Sequence, residues 1–303
     1  MKSVIFFKAL SDDTRLRIFN LLMKHELNVN EIVSSMNMGQ SRISRHLKIL
    51  SDSGLVKSRR DGLCVFYSAA ADGRVKGFIN LTAGLIAGDP EMKKELERLE
   101  LILKERAKEK IRYFDRIAPD WDMIKGDIIG NADIAGAIVS NSKRAEVAVD
   151  LGCGTGGLML EIRKRAKRVI GVDRSQKMLD EARRRLPQGD SFELRLGELD
   201  HLPMRDGEAD LAVINMVLHY LPSPRDCIKE AARILKKRGH LVIADLDTHE
   251  NEEMRLKYGH RWLGFGAEEM KRWLVSSGFG LLNTVRLDAK KQLMINIFFA
   301  IKE

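Results

Sequence analysis

Cysteine is scarce in this 303-residue sequence, and Cys64, Cys153 and Cys227 lie far apart. That spacing excludes a disulfide framework and a zinc-type CxxC pair. Prolines number only 6, and aromatic residues make up 6%. Together with 44% hydrophobic and 31% charged residues, these values exclude collagen-like and disordered chains. They leave a helix-rich chain able to form a core. No apolar run reaches the roughly 18 residues of a membrane span, and the first residues lack a charged-then-apolar signal pattern. A cytoplasmic location with no membrane partner is therefore expected. No low-complexity tract or internal repeat is apparent, and the length suggests about two domains.

Positive charge, by contrast, is plentiful. The net charge is +9 and the pI about 9.4, and cations outnumber acids through residue 75. Net charge alone says little about a polyanionic partner; the pattern beneath it says more. Phe6-Phe7-Lys8-Ala9-Leu10 reads as a helix, and Ser11-Asp12-Asp13 as the N-cap of the next, whose apolar face is Leu16, Phe19, Leu21 and Leu22. A further helix begins at Asn28-Val29-Asn30-Glu31 and closes at Asn37-Met38-Gly39. Ile43, Leu47 and Leu50 then recur at helical spacing, while Arg42, Arg45, His46 and Lys48 point elsewhere. Val56 to Arg60, Asp61-Gly62 and Leu63 to Tyr67 read as a β-hairpin with Arg59 and Arg60 near its tip. A lone basic helix would be no more than a solvated face. A helix, a tight turn, a basic helix and an arginine-bearing hairpin together predict double-stranded DNA binding. The expected contacts are Gln40, Ser41, Arg42, Ser44, Arg45, His46, Lys48, Arg59 and Arg60.

These residues resemble the winged helix-turn-helix of the ArsR/SmtB family, from Leu10-Ser11-Asp12-Asp13-Thr14-Arg15 through Ser44-Arg45-His46-Leu47 to Gly54-Leu55-Val56. The resemblance implies a homodimeric repressor on a palindromic operator, with Ser41 to about Asp52 as recognition helix. Many metal-sensing members carry ELCVCDL where this chain has Glu26-Leu27-Asn28-Val29-Asn30-Glu31-Ile32. Asparagine is a poor ligand for soft metals, and residues 72–112 contain no histidine. No metal site is expected, so the effector must be sought elsewhere. The same stretch has an apolar seam at Met92, Leu96, Leu99 and Leu103 with charged flanks, which fits either packing on its own domain or a dimer contact. The expected division is 1–70, a helical connector at 71–112, and 113–303.

From Val147 onward, short apolar runs alternate with helical patterns, as in a parallel α/β sheet. Val147-Ala148-Val149-Asp150-Leu151 runs into Gly152-Cys153-Gly154-Thr155-Gly156-Gly157, and a helix follows. Glycines there permit a tight turn and let a ligand approach the backbone at a helix N-terminus. Gly152, Gly154 and Gly157 also satisfy the dinucleotide spacing, a weak signal alone. Val169 to Asp173 supplies a second strand ending in an acid suited to ribose hydroxyls in either reading. Asp150, two positions before the first glycine, separates the readings: a carboxylate there suits an ammonium, whereas a nicotinamide dinucleotide needs no anion beside its pyrophosphate. Gly197-Glu198-Leu199-Asp200-His201-Leu202-Pro203, a fourth strand at Asp210–Asn215 and a fifth at Gly239–Asp245 complete an ordered set.

That set resembles class I S-adenosylmethionine-dependent methyltransferases, in particular the UbiE-like small-molecule group. Phe114 to Asp122 resembles the leading segment of that group, and Phe265–Met270 with Gly278-Phe279 its late helix. The implied fold is a Rossmann-like seven-stranded sheet, and the implied cofactor is S-adenosylmethionine or S-adenosylhomocysteine. By this resemblance Asp150, Gly152, Cys153, Gly154 and Gly156 border the methionine end, Asp173 takes the ribose with Arg174 and Met178 nearby, and Glu198 and Leu199 meet the adenine; Asn215 closes the set. Glu198 departs from the usual Asp. No catalytic residue is assigned: Ile214-Asn215-Met216-Val217 is not the NPPY or DPPF of nucleic-acid amino-methyltransferases, three scattered cysteines do not suit arsenite methylation, and His219, Tyr220, His249 and His260 are candidate bases for which packing is the simpler role. The expected function is a repressor whose methyltransferase-like domain senses the cofactor or its product, as in known ArsR-type proteins that respond to S-adenosylhomocysteine. The alternative is an active small-molecule methyltransferase with an appended DNA-binding domain.

Overall fold

The structure, a computed structural model, describes residues 2–70 and 73–303, with side chains for 4–70 and 75–303. Residues 71 and 72, where the connector is expected to begin, lie outside the described residues. The chain divides into two compact units, Met1–Glu109 and Lys110–Glu303.

The first unit runs α1 (Lys2–Leu10), α2 (Asp13–Lys24), β1 (Leu27–Asn28), α3 (Val29–Met36), α4 (Gln40–Asp52), β2 (Val56–Asp61), β3 (Cys64–Ala69), α5 (Gly73–Ile86) and α6 (Pro90–Ile117). Local chemistry sets the helix ends. Asp12 caps α2 by accepting from the Arg15 N–H at 3.0 Å. Asn28 and Glu31 form a reciprocal capping box at α3, with bonds of 3.0 and 2.8 Å. Such a cap contributes about 1 kcal/mol. The helix stops at Asn37, whose φ of 52° no helix can continue. Ile43, Leu47 and Leu50 of α4 are buried with Ile18, Phe19 and Leu21 of α2 and Ile32 of α3. The hairpin turns one residue later than the Asp61-Gly62 pattern suggests, because Asp61 still pairs with Cys64 and Gly62 takes the positive φ of 55°. Strand order is β1-β3-β2, all antiparallel.

The α6 seam packs on its own domain. Leu99 is buried in the core of its own unit, and Leu96 and Leu103 pack against that core. Arg17 pairs with the buried Glu95, and Arg106 with the buried Glu31, fixing α6 on the same domain. Leu81 and Leu85 on α5 stay 53% and 75% exposed. The helix also continues to Ile117, past the expected connector end at 112.

The second unit takes up the end of α6 and adds α7 (Trp121–Ile129), α8 (Ile134–Asn141), β4 (Ala145–Leu151), α9 (Gly157–Ile162), β5 (Ala166–Asp173), α10 (Gln176–Arg185), β6 (Phe192–Leu196), β7 (Ala209–Asn215), α11 (Pro224–Ile234), β8 (Leu235–Leu246), α12 (Glu253–Leu256), α13 (Ala267–Ser276), β9 (Phe279–Asp288) and β10 (Met294–Lys302). Its sheet has seven strands in the order β6-β5-β4-β7-β8-β10-β9. Strands β4 to β8 are parallel and β10 is antiparallel to both neighbours. Val149, Ile170, Val213 and Ile243 are fully buried, so the central strands read as unbroken apolar runs. The strand order reverses beside β4, and in such sheets ligands bind at the carboxyl end of that point.

Candidate cofactor cavity and nucleic-acid interface

At the carboxyl end of β4 the chain turns through Gly152-Cys153-Gly154-Thr155-Gly156. Gly152 has φ 79°, and a Cβ there would stand 2.5 Å from the Val217 side chain, so no other residue fits. The loop borders a cavity of about 250 Å³ whose walls include Asp150, Gly152, Cys153, Gly154, Asp173, Arg174, Met178, Leu199 and Asn215. Two predicted residues are not brought there. Gly156 instead forms the N-cap of α9, and the exposed Glu198 side chain turns toward Arg174 at 3.8 Å.

Asp150 is 1% exposed, and burial pushes its carboxyl up to about 7; Lys125 opposes that shift and Asp173 adds to it. Among the described residues its Oδ2 has no hydrogen-bond partner, and neither has the buried Oδ1 of Asn215. A folded protein rarely leaves such acceptors empty-handed unless a donor arrives from outside. Asp173 is differently placed. Its two oxygens accept from the backbone of Gly154 and Ser175, each at 2.9 Å, and burial nevertheless raises its pKa. Loop and second strand are thereby locked together. The cavity accordingly offers a bare carboxylate at one place and a rigid, backbone-tied one at another, which fits the ammonium and ribose ends of S-adenosylmethionine.

Sequence reasoning assigns no cavity role to part of the wall. Phe114, Trp121, Lys125 and Tyr220 line the cavity, with Phe114 edge-on to Tyr220 at 4.9 Å and to Trp121 at 5.7 Å. Lys125 is a cation whose ammonium is driven down by burial and held up by Asp150 and Asp122. Phe114 and Trp121 fall within the leading-segment resemblance and Tyr220 is a candidate base, whereas no motif marks Lys125. Of the four candidate bases, Tyr220 alone is in the wall, and burial raises its phenol well above the ordinary value. His219 is buried, its Nδ1 2.6 Å from Asp245 Oδ1, and it stacks on His260 at 4.1 Å. That is a packed pair behind the wall.

In the first unit, Gln40, Ser41, Arg42, Ser44, Arg45 and Lys48 are all exposed along one side of α4. Ser41, Arg42, Arg45 and His46 share a groove with Arg15, which the sequence did not single out. His46 is half-buried, 3.7 Å from Asp12, and burial pushes its imidazole below the usual value while Asp12 opposes that shift. Arg59 is not at a free tip: it sits in β2, 3.7 Å from both Glu26 and Asp61. Arg60 is the exposed one.

Comparison with known proteins matches both units. Residues 12–58 match the family "Bacterial regulatory protein, arsR family", and residues 149–243 match "Methyltransferase domain". The transcriptional activator HlyU of Vibrio cholerae is 38% identical over 80 residues, 26% of this chain and 73% of that one. A demethylmenaquinone methyltransferase of Lactobacillus johnsonii is 31% identical over 155 residues, 47% of this chain and 63% of that one. An uncharacterized 37.1 kDa protein of transposon Tn4556 from Streptomyces fradiae is 34% identical over 145 residues. The chain spans 42% of that protein's length, and 45% of its own takes part. Among solved structures, the [4+2]-cyclase SpnF has a TM-score of 0.52 at 18% identity, covering 63% of this chain and 94% of that one. Geranyl diphosphate C-methyltransferase of Streptomyces coelicolor, in complex with S-adenosyl-L-homocysteine, has 0.50 at 18%, covering 56% and 76%. At these identities the likeness is one of fold.

Proposed function

Because the chain belongs, through its N-terminal domain, to the arsR family of bacterial regulatory proteins and carries a methyltransferase domain behind it, we propose that it is a transcriptional regulator whose effector is the methyltransferase cofactor or its demethylated product. It acts as a homodimer on a palindromic operator, as a repressor, with α4 in the major groove. The exposed Leu81 and Leu85 of α5 give a second copy an apolar contact.

The observation that carries this reading is the pair of unpartnered buried acceptors, Asp150 Oδ2 and Asn215 Oδ1, in the cavity. They call for a polar, cationic small molecule. Elsewhere the usual family effector has lost its place, since Asn28 spends its side chain on capping α3. In this reading Asp150 takes the ammonium of the amino-acid end and Asp173 the ribose, while Met178 and Leu199 give the apolar wall for the base. The bound cofactor supplies an electrophilic methyl on a sulfonium; its product has neither. That single difference in charge is what such a regulator would read.

The second reading is an active small-molecule methyltransferase. The intact cavity and the similarity to demethylmenaquinone methyltransferases favour it. In-line attack on a methyl needs positioning more than a base, so the packing of His219 and His260 behind the wall is no obstacle. SpnF, a cyclase on the same fold, illustrates that fold alone leaves the chemistry open.

Fluorescence anisotropy on DNA from upstream of the chain's own gene, with each ligand titrated separately at fixed salt, tests the proposal. The expected result is a change in DNA affinity of at least about tenfold, or ~1.4 kcal/mol of coupling. Tight DNA binding indifferent to both ligands overturns it and leaves the methyltransferase reading, measured by consumption of the cofactor in the presence of candidate acceptors.

A further inference from the structure

The wall of the cofactor cavity carries six charged side chains: Asp122, Lys125, Asp133, Asp150, Asp173 and Arg174. Four of them are already engaged. Asp122 pairs with Arg185 and accepts from Thr155 Oγ1 at 3.1 Å. Asp133 accepts from the Gly136 N–H at 2.8 Å and so caps α8. Asp173 is tied to the backbone of Gly154 and Ser175, and Arg174 faces Glu198. One anion and one cation are left over. Asp150 keeps its bare Oδ2. Lys125 makes no hydrogen bond and no ion pair among the described residues, although Asp150 and Asp122 attract it from a distance. Its placement follows from α7: Trp121, Lys125 and Ile129 recur every fourth residue, share one face of the helix, and all line the cavity.

Desolvation works against a half-buried ammonium, and an ion pair with Asp150 would relieve both groups at once. The chain forms none. A buried polar group kept without a partner is costly unless a ligand supplies one, and these two call for opposite charges on one molecule. The amino-acid end of S-adenosylmethionine, or of its demethylated product, has both on a single carbon. We propose that Lys125 takes the carboxylate of that end while Asp150 takes its ammonium, and that Lys125 thereby restricts the cavity to ligands with an intact amino acid, against adenosyl sulfur compounds that have lost the carboxylate. The assignment rests on the cofactor reading above and holds for the regulator and the enzyme alike. A ligand without the carboxylate leaves the Lys125 ammonium desolvated and unanswered, and a mismatch of that kind discriminates more strongly than a missing methylene does.

Isothermal titration calorimetry of the full chain tests this with three probes: S-adenosylhomocysteine, its aminopropyl analogue that lacks the carboxylate, and methylthioadenosine, which lacks the whole amino-acid end. The wild-type chain should bind S-adenosylhomocysteine at least about tenfold more tightly than the aminopropyl analogue. K125M and K125Q should each lose at least about tenfold in affinity for S-adenosylhomocysteine and bind the other two probes as well as before; K125R should keep the preference. Methylthioadenosine binding thus reports that the cavity has folded. Equal weakening of all three probes in both variants makes Lys125 a structural residue and overturns the proposal. A wild-type preference that K125M and K125Q leave intact overturns it too, with the cofactor reading still standing. Failure of the wild-type chain to bind any of the three removes that reading itself, and this pairing with it.

Discussion

A carboxyl group that is 1% exposed, with one oxygen unpartnered, is costly as an anion until a cation reaches it. Asp150 holds its proton to about 7 against an ordinary 3.8. The folded chain therefore binds that proton more tightly than the unfolded chain does. Its contribution to stability is full below 3.8 and is lost as pH rises through 7. An ammonium ligand needs the ionised form, so binding at pH 6 should expel close to one proton. Calorimetry in two buffers of different ionisation enthalpy would count it. D150N should release none and bind about ten- to hundredfold more weakly; unchanged affinity would mean the amino-acid end lies elsewhere. Asp150 was legible because its distance from the first glycine is fixed by one strand and one turn. Lys125 was not, and Trp121 and Tyr220 were named without a place in the cavity, since all three reach it from segments remote in sequence and only folding sets their distance. Arg59 misled for the opposite reason: its neighbours in sequence suggest a free tip, and Glu26, far behind it, holds it down.

At the level of elements, periodicity carried most of the information. Ile43, Leu47 and Leu50 fix which side of α4 is buried and so which side is presented. Arg45 and Arg60 are both exposed, one on the recognition helix and one on the wing strand. R45A should cost about 1–3 kcal/mol on a cognate site and relax sequence preference, as loss of a base contact does. R60A should weaken all sequences alike and lower the slope of affinity against salt by about one. Anisotropy across a salt series on cognate and scrambled DNA separates the two, and identical behaviour of both variants would remove α4 from the groove. The hairpin register was one residue off because Asp61-Gly62 is a turn signal whose first residue can still pair. The α6 seam was ambiguous for a deeper reason: an apolar stripe gives no hint of which surface will cover it, and its own domain did so through Leu99.

On the scale of the whole molecule, two compact units with separate cores should not melt as one. Calorimetry is expected to resolve two transitions. S-adenosylhomocysteine at 100 times its Kd should add about 2.7 kcal/mol to one of them, and operator DNA should raise the other. A single transition raised equally by both would mean one cooperative body. The sequence reading separates 1–70, 71–112 and 113–303, because the first and last parts each have their own periodicities and turn residues. Where one ends and the other begins was less legible, since α6 belongs to both: Glu95 and Leu99 serve the first core, and Phe114 serves the cavity.

That shared helix also governs how the protein would age in a cell. Between Pro90 and Ile117 the backbone stays helical without a single glycine. Although lysines and arginines crowd its surface, a trypsin-like protease needs several residues in extended form and finds none there. Scission would begin only after α6 had unwound.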